Sequence, residues 1–138
     1  MTDYFRLKLE REEILKISSL GLAHMGDAVY ELMVRAWLCA NGGETSRDLH
    51  SAAVARVSAR AQAAAAEKLA TLLTEEEHAV FRRGRNARVH AVPAHATAGQ
   101  YHAATALECL FGWLYLCGQT ERLNELFAAI TEEDGHAD

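Results

Sequence analysis

Twenty-six of the 138 residues are alanine and only one is proline, and this pairing restricts the chain more than any other feature. Alanine is the strongest helix former and is depleted in strands, while proline interrupts helices. No segment alternates apolar and polar residues with period two for long enough to suggest a sheet. Taking alanine out of the 50% hydrophobic fraction leaves 43 larger apolar side chains for a core. Helices packed closely over small residues follow: an all-α fold, one compact helical domain of about six or seven helices. The length falls in the usual single-domain range, so residues 1–138 read as one unit, with a core over about 20–130 and an acidic tail over 131–138.

Local signals mark out the helices. Leu22, Met25, Val29, Leu32, Met33, Ala36 and Trp37 recur at helical spacing across Leu20–Cys39, and Asn41, Gly42 and Gly43 end that run. Thr45 or Ser46 can cap a helix over about 47–55, and Ser58 another reaching Leu69. Thr74 with Glu77 fits a capping box, opening a helix that ends near Arg83 or Gly84. Residues 85–99, with Pro93 and Gly99, form one long irregular stretch, and loops of this length in compact domains are often functional. A helix from about Gln100 to Leu116 stops at Gly118. Thr120 caps a last amphipathic helix reaching about Ile130.

Several classes are excluded. Met1–Glu13 mixes Asp3, Glu10, Glu12 and Glu13 with Arg6, Lys8 and Arg11, unlike a secretory signal or a transit peptide. The longest nearly apolar stretch, Ala103–Thr120, carries Glu108 near its centre, where a membrane-spanning helix tolerates charge poorly. A cytoplasmic protein without membrane partners is expected. Cys39, Cys109 and Cys117 are odd in number, lie in apolar runs and lack C-x-x-C spacing. They read as buried free thiols in a reducing compartment rather than as a disulfide framework or a zinc site.

The net charge of −5 hides an uneven distribution. Residues 1–45 carry −2, residues 46–102 carry +3 with five of the seven histidines, and residues 103–138 carry −6. Arg82, Arg83, Arg85 and Arg88 fall within seven residues around Gly84 and Asn86. Such a cluster can bind phosphates on an acidic chain, because screening limits distant charges to a reach of about 8–10 Å. The plainer account is a solvated helix end whose cations offset the C-terminal dipole.

Two carboxylates stand in unusual places. Glu108 is the only charged residue between His102 and Glu121, and its helical neighbours Ala104, Thr105, Phe111 and Gly112 include no cation. A lone carboxylate in apolar surroundings must be paired, protonated or bound to a cation. Asp27 follows Met25 and Gly26 inside a helix, with Glu31 one turn on and no Lys or Arg closer than Arg35. Glycine inside a helix costs about 1 kcal/mol against alanine, and what it offers is close approach of another backbone. Gly112, one turn after Glu108, offers the same. The two helices are therefore expected to cross near their glycines and bring Asp27 and Glu108 together. Converging carboxylates without a cysteine or histidine cluster suit Mg²⁺ or Mn²⁺; otherwise each lies on the exposed rim of its helix. Glu31 either supports that site or pairs with Arg35.

The segment Gly21-Leu-Ala-His-Met-Gly-Asp-Ala-Val-Tyr-Glu31 resembles the signature helix of ribonuclease III, and Thr105-Ala-Leu-Glu-Cys-Leu-Phe-Gly-Trp-Leu-Tyr-Leu116 resembles that family's second acidic helix. The similarity is closer to the compact branch called Mini-ribonuclease III. It extends through Asp48-Leu49-His50, Val57-Ser-Ala-Arg-Ala-Gln-Ala63, Thr74-Glu-Glu-Glu77 and Arg82-Arg-Gly-Arg-Asn-Ala87. No double-stranded-RNA-binding domain follows within these residues, as in that branch.

The resemblance implies a homodimeric, Mg²⁺-dependent endoribonuclease, with Mn²⁺ able to substitute, that cleaves double-stranded RNA and matures the precursor of 23S (large-subunit) ribosomal RNA, with a large-subunit ribosomal protein as a further partner. Asp27 and Glu108 match the family's metal ligands and catalytic acids. Leu20, Ala23 and Thr105 stand where full-length enzymes carry acids, a depletion that Mini-ribonuclease III shares, and Glu31 and Thr105 are left as outer-shell candidates. Arg82, Arg83, Arg85, Asn86 and Arg88 would grip RNA phosphates. The competing expectations are a non-catalytic structured-RNA-binding or ribosome-assembly protein on the same fold, and an unrelated helical interaction module. The apolar 107–116 segment and the helix after Thr120 are the candidate dimer surfaces.

Overall fold

The computed structural model describes residues 1–42, 45–87, 92 and 94–135, the last three by backbone alone. These residues form a short 3₁₀ turn, Tyr4–Arg6, and seven α-helices: α1 (Arg11–Leu15), α2 (Ser19–Ala40), α3 (Ser46–Val57), α4 (Ala59–Leu69), α5 (Glu75–Arg85), α6 (Ala98–Leu116) and α7 (Thr120–Gly135). No strand occurs among them.

The helix starts follow the capping chemistry of the sequence. Ser18, Thr45 and Ser58 accept the backbone N–H of Gly21, Asp48 and Ala61 at 2.9, 3.0 and 3.2 Å. Thr74 and Glu77 form the expected capping box, and Thr97 with Gln100 forms a second one that starts α6 two residues earlier than expected. Each such cap stabilises its helix by about 1 kcal/mol. Thr120 is not a cap. It is the first residue of α7, and the Gln119 carbonyl takes the Leu123 N–H at 3.0 Å. At the other ends, Gly42 (φ 108°) and Gly118 (φ 76°) supply the left-handed conformations that stop α2 and α6.

Helix α6 is the axis of the fold, packed against α2, α4 and α5 and more lightly against α7. A helix apolar on every side belongs in the middle, and Leu107, Leu110, Phe111 and Leu114 are essentially inaccessible. Phe111 meets the edge of Tyr30 from α2 with ring centroids 5.2 Å apart, and Tyr30 meets Phe127 from α7 at 6.0 Å. Each fully buried leucine or phenylalanine contributes about 1.5–3 kcal/mol. Most of the segment 107–116 is consumed by this core, with Trp113, Tyr115 and Leu116 left half-buried.

Two expectations about the ends of the chain and one about the thiols need correction. The core starts before residue 20, because Ile14 on α1 is buried and Leu9 N–H donates to the Leu116 carbonyl at 2.9 Å. The tail does not begin at 131. Helix α7 continues to Gly135, Thr131 is buried, and its hydroxyl donates to the Phe127 carbonyl at 3.0 Å. Cys39 is exposed at the end of α2, whereas Cys109 is buried and Cys117 half-buried; all three are free thiols.

The remaining tie is ionic. Arg122 on α7 donates through Nε and Nη2 to the two oxygens of the buried Glu77 carboxylate, both at 2.8 Å, and through Nη2 to the Leu72 carbonyl. The guanidinium holds the Glu77 carboxyl below the usual range. A bidentate pair of this kind fixes the start of α5 against the start of α7.

Candidate functional site

The site is set by how closely α2 and α6 approach. A Cβ built on Gly26 would overlap the Glu108 carbonyl oxygen and lie 2.7 Å from the Gly112 nitrogen. One built on Gly112 would overlap the Leu22 carbonyl and lie 2.9 Å from the Gly26 nitrogen. The helices therefore cross backbone on backbone at the two glycines, as the sequence suggested. Asp27 and Glu108 each stand beside the crossing, close enough for Asp27 to act on the Glu108 carboxyl. The crossing places the two acids side by side, with Asp27 on the solvent side.

The two acids differ in environment. Asp27 is exposed, and Glu108 is half-buried. Burial raises the Glu108 carboxyl to about 7, helped by the charge and hydrogen bond of Asp27 and opposed by one favourable hydrogen bond from Gln62. No lysine or arginine among the described residues forms an ion pair with either acid. A buried carboxylate beside a second carboxylate, both hard oxygen donors, is the environment in which a divalent cation removes an electrostatic penalty. The donor set therefore fits Mg²⁺ or Mn²⁺. No group of three or more His, Cys, Asp or Glu side chains suited to a metal occurs among the described residues.

The supporting candidates resolve differently. Glu31 accepts from Arg35 Nε at 2.9 Å, the pairing that the sequence offered as its second account. Thr105 is buried and donates its hydroxyl to the Tyr101 carbonyl of its own helix at 3.0 Å, so that hydrogen is not given to Glu108. The residue that does touch Glu108 is Gln62, whose Nε2 donates to Glu108 Oε2 at 3.0 Å. Sequence reasoning assigned it no role. The signal was available in the stripe Gln62, Ala65, Ala66 and Leu69, the buried residues of α4, which puts a lone amide on an inward face.

The arginine cluster is divided by helical geometry. Arg82, Arg83, Arg85 and Asn86 are exposed at the C-terminal end of α5. Arg82 and Arg85 line a groove with Ala66, Ala70 and Leu73, on the α4 side. Arg83 lines a different groove, with Lys8, Arg11 and Trp113. Between them Gly84 lets α5 settle on α6, since a Cβ there would fall 2.6 Å from Cys109 Cβ and 2.9 Å from Ala106 Cα. None of the three arginines has an acidic partner among the described residues. Arg88 and Pro93 lie outside the described residues.

With this geometry in place, relatives can be compared. The ribonuclease III domain profile matches residues 20–119. The Mini-ribonuclease 3 of Symbiobacterium thermophilum is 46% identical over 118 residues, spanning 86% of this chain and 91% of that protein. That of Thermoanaerobacter sp. is 40% identical over 128 residues, spanning 91% and 90%. A Fusobacterium nucleatum protein solved by X-ray crystallography superposes with a TM-score of 0.78 at 29% identity, covering 85% of this chain and 93% of that one.

Proposed function

Because the chain belongs to the ribonuclease III family, in its Mini-ribonuclease 3 branch, and is an endoribonuclease, we propose that it cleaves double-stranded RNA with a divalent cation held by Asp27 and Glu108. The observation that carries this reading is the crossing of α2 and α6 at Gly26 and Gly112, which sets the two carboxylates together with no ion-paired lysine or arginine among the described residues. When bound there, Mg²⁺, or Mn²⁺ in its place, supplies charge neutralisation for a phosphodiester and lowers the pKa of water. Glu108, half-buried, would anchor that cation from the core side; Asp27, exposed, would face the substrate side. Arg82, Arg85 and Asn86 bind backbone phosphates, which suits A-form RNA because it is read mainly by shape and backbone.

A homodimer completes the arrangement. Leu20, His24, Ala28 and Leu32 form an exposed row along α2, with Leu20 43% and Leu32 50% exposed. Pairing two copies about this row puts the two Asp27 residues on either side of one axis, one site for each strand of a duplex. The substrate proposed with this reading is the precursor of 23S ribosomal RNA, met in the cytoplasm with a large-subunit ribosomal protein as a further partner. No helix among the described residues is long and apolar enough to cross a membrane.

Incubation with a long RNA duplex and Mg²⁺ tests the reading. Cleavage should require the metal and fall by at least about 10³-fold in Asp27→Asn and Glu108→Gln. Variants as active as the wild type would reject the site. Duplex binding without cleavage would favour the non-catalytic RNA-binding protein instead.

A further inference from the structure

Glu108 has a neighbour whose presence core packing does not explain. Gln62 stands in an otherwise alanine-rich stretch of α4, faces inward and is 2% exposed. Its Nε2 donates to the Val57 carbonyl and to Glu108 Oε2, each at 3.0 Å. The carbonyl can only accept, so the amide nitrogen must face it, and the second N–H then reaches Glu108. Both donors are used. The amide oxygen, Oε1, is left buried with no partner among the described residues. A methionine would occupy nearly the same volume without the buried Oε1, but it would take the donor away from the Val57 carbonyl and from Glu108. What the glutamine adds is a donor anchored at one end, on the carbonyl where α3 turns into α4, and aimed at one oxygen of Glu108.

We propose that Gln62 is a positioning residue for the cation site: by donating to Oε2 of Glu108 it fixes the carboxylate that, with Asp27, would hold a cation. The proposal rests on the reading of Asp27 and Glu108 as metal ligands. Partners that orient a ligand in this way typically account for about 10–100-fold in metal affinity or activity.

The test uses Gln62→Met, which conserves length and removes the donor. Mn²⁺ uptake by the RNA-free protein is followed from the electron paramagnetic resonance signal of the free ion, beside steady-state cleavage of a duplex. The variant should bind Mn²⁺ about 10–100-fold more weakly and lose kcat to a similar extent, with KM for the duplex within about twofold. A folded variant that binds Mn²⁺ like the wild type overturns the proposal. Asp27→Asn and Glu108→Gln are titrated alongside; if they take up Mn²⁺ normally, the metal reading itself fails, a distinct result. Should Gln62→Met lose its cooperative melt, the wild type decides by nuclear magnetic resonance. Saturating Mg²⁺ should move the two side-chain amide proton signals of Gln62, and signals that stay in place overturn the idea.

Discussion

A carboxylate placed where water is scarce stores free energy that only a proton or a cation releases, and Glu108 makes that stored term measurable. Its carboxyl is raised to about 7 by burial and by Asp27, against about 4.5 in an unfolded chain. Between these values the folded protein holds the proton more often than the unfolded one, so stability must fall as pH rises through that window. Metal-free protein should therefore lose roughly 2–3 kcal/mol between pH 5 and pH 8 from this group, given about 1.4 kcal/mol per pKa unit and partial access to water. Glu108→Gln should abolish the slope and be the more stable protein at pH 8, while Mg²⁺ should stabilise only the wild type. Urea denaturation at the two pH values, with chelator and then with Mg²⁺, checks this; a flat wild-type profile would contradict the buried-acid account. Asp27 and Glu108 were legible in the sequence because a charge inside an apolar run announces a problem. Gln62 was not, since its partner lies 46 residues away and an uncharged amide in a helix raises no comparable conflict.

Helices that touch through backbone rather than side chains have no slack, and this makes the element scale sharply testable. Alanine is the better helix former at both glycines of the α2–α6 crossing, by about 1 kcal/mol in isolation. The fold reverses that preference, because the Cβ of Gly26→Ala would meet the Glu108 carbonyl and that of Gly112→Ala the Leu22 carbonyl, backbone atoms that cannot turn aside. Each substitution should cost at least about 3 kcal/mol, at or beyond the upper end of ordinary overpacking, and should separate the two acids. Gly99→Ala is the control. Its Cβ would meet nothing closer than Thr97 Oγ1 at 3.9 Å, so the change should be neutral or stabilising in the same thermal melts. Equal melting of all three variants would show that the crossing is not tight. This crossing could be read in advance because mid-helix glycine is costly and needs a reason. The N-terminal elements could not. Helix α1 has five residues, too short to be marked by periodicity, and it exists through docking of Ile14 and the Leu9–Leu116 bond. The extension of α7 beyond Ile130 was hidden in the same way, since Thr131 reads as polar until its hydroxyl is seen bonded to its own helix.

At the scale of the whole molecule the acidic total and the basic middle must coexist, and the structure refines how. Four arginines adjacent in sequence look like one patch, yet a helix turns about 100° per residue. Arg82 and Arg85 therefore share a groove with α4, the helix that also carries Gln62 to the carboxylate site, while Arg83 faces the N-terminal segment. Phosphate contacts release counterions, and each one contributes about 0.9 to the slope of log affinity against log salt. Replacing Arg82 and Arg85 by alanine together should lower that slope by about 2 per chain and raise KM for a duplex with kcat little changed. Arg83→Ala should leave the slope within a few tenths of the wild type. Equilibrium binding to one duplex at several salt concentrations, with catalysis silenced by chelator, separates the variants. If Arg83 proves as important as its neighbours, the duplex must reach around α5 to the groove lined by Lys8 and Arg11, and the substrate path would run over the N-terminal segment rather than along α4.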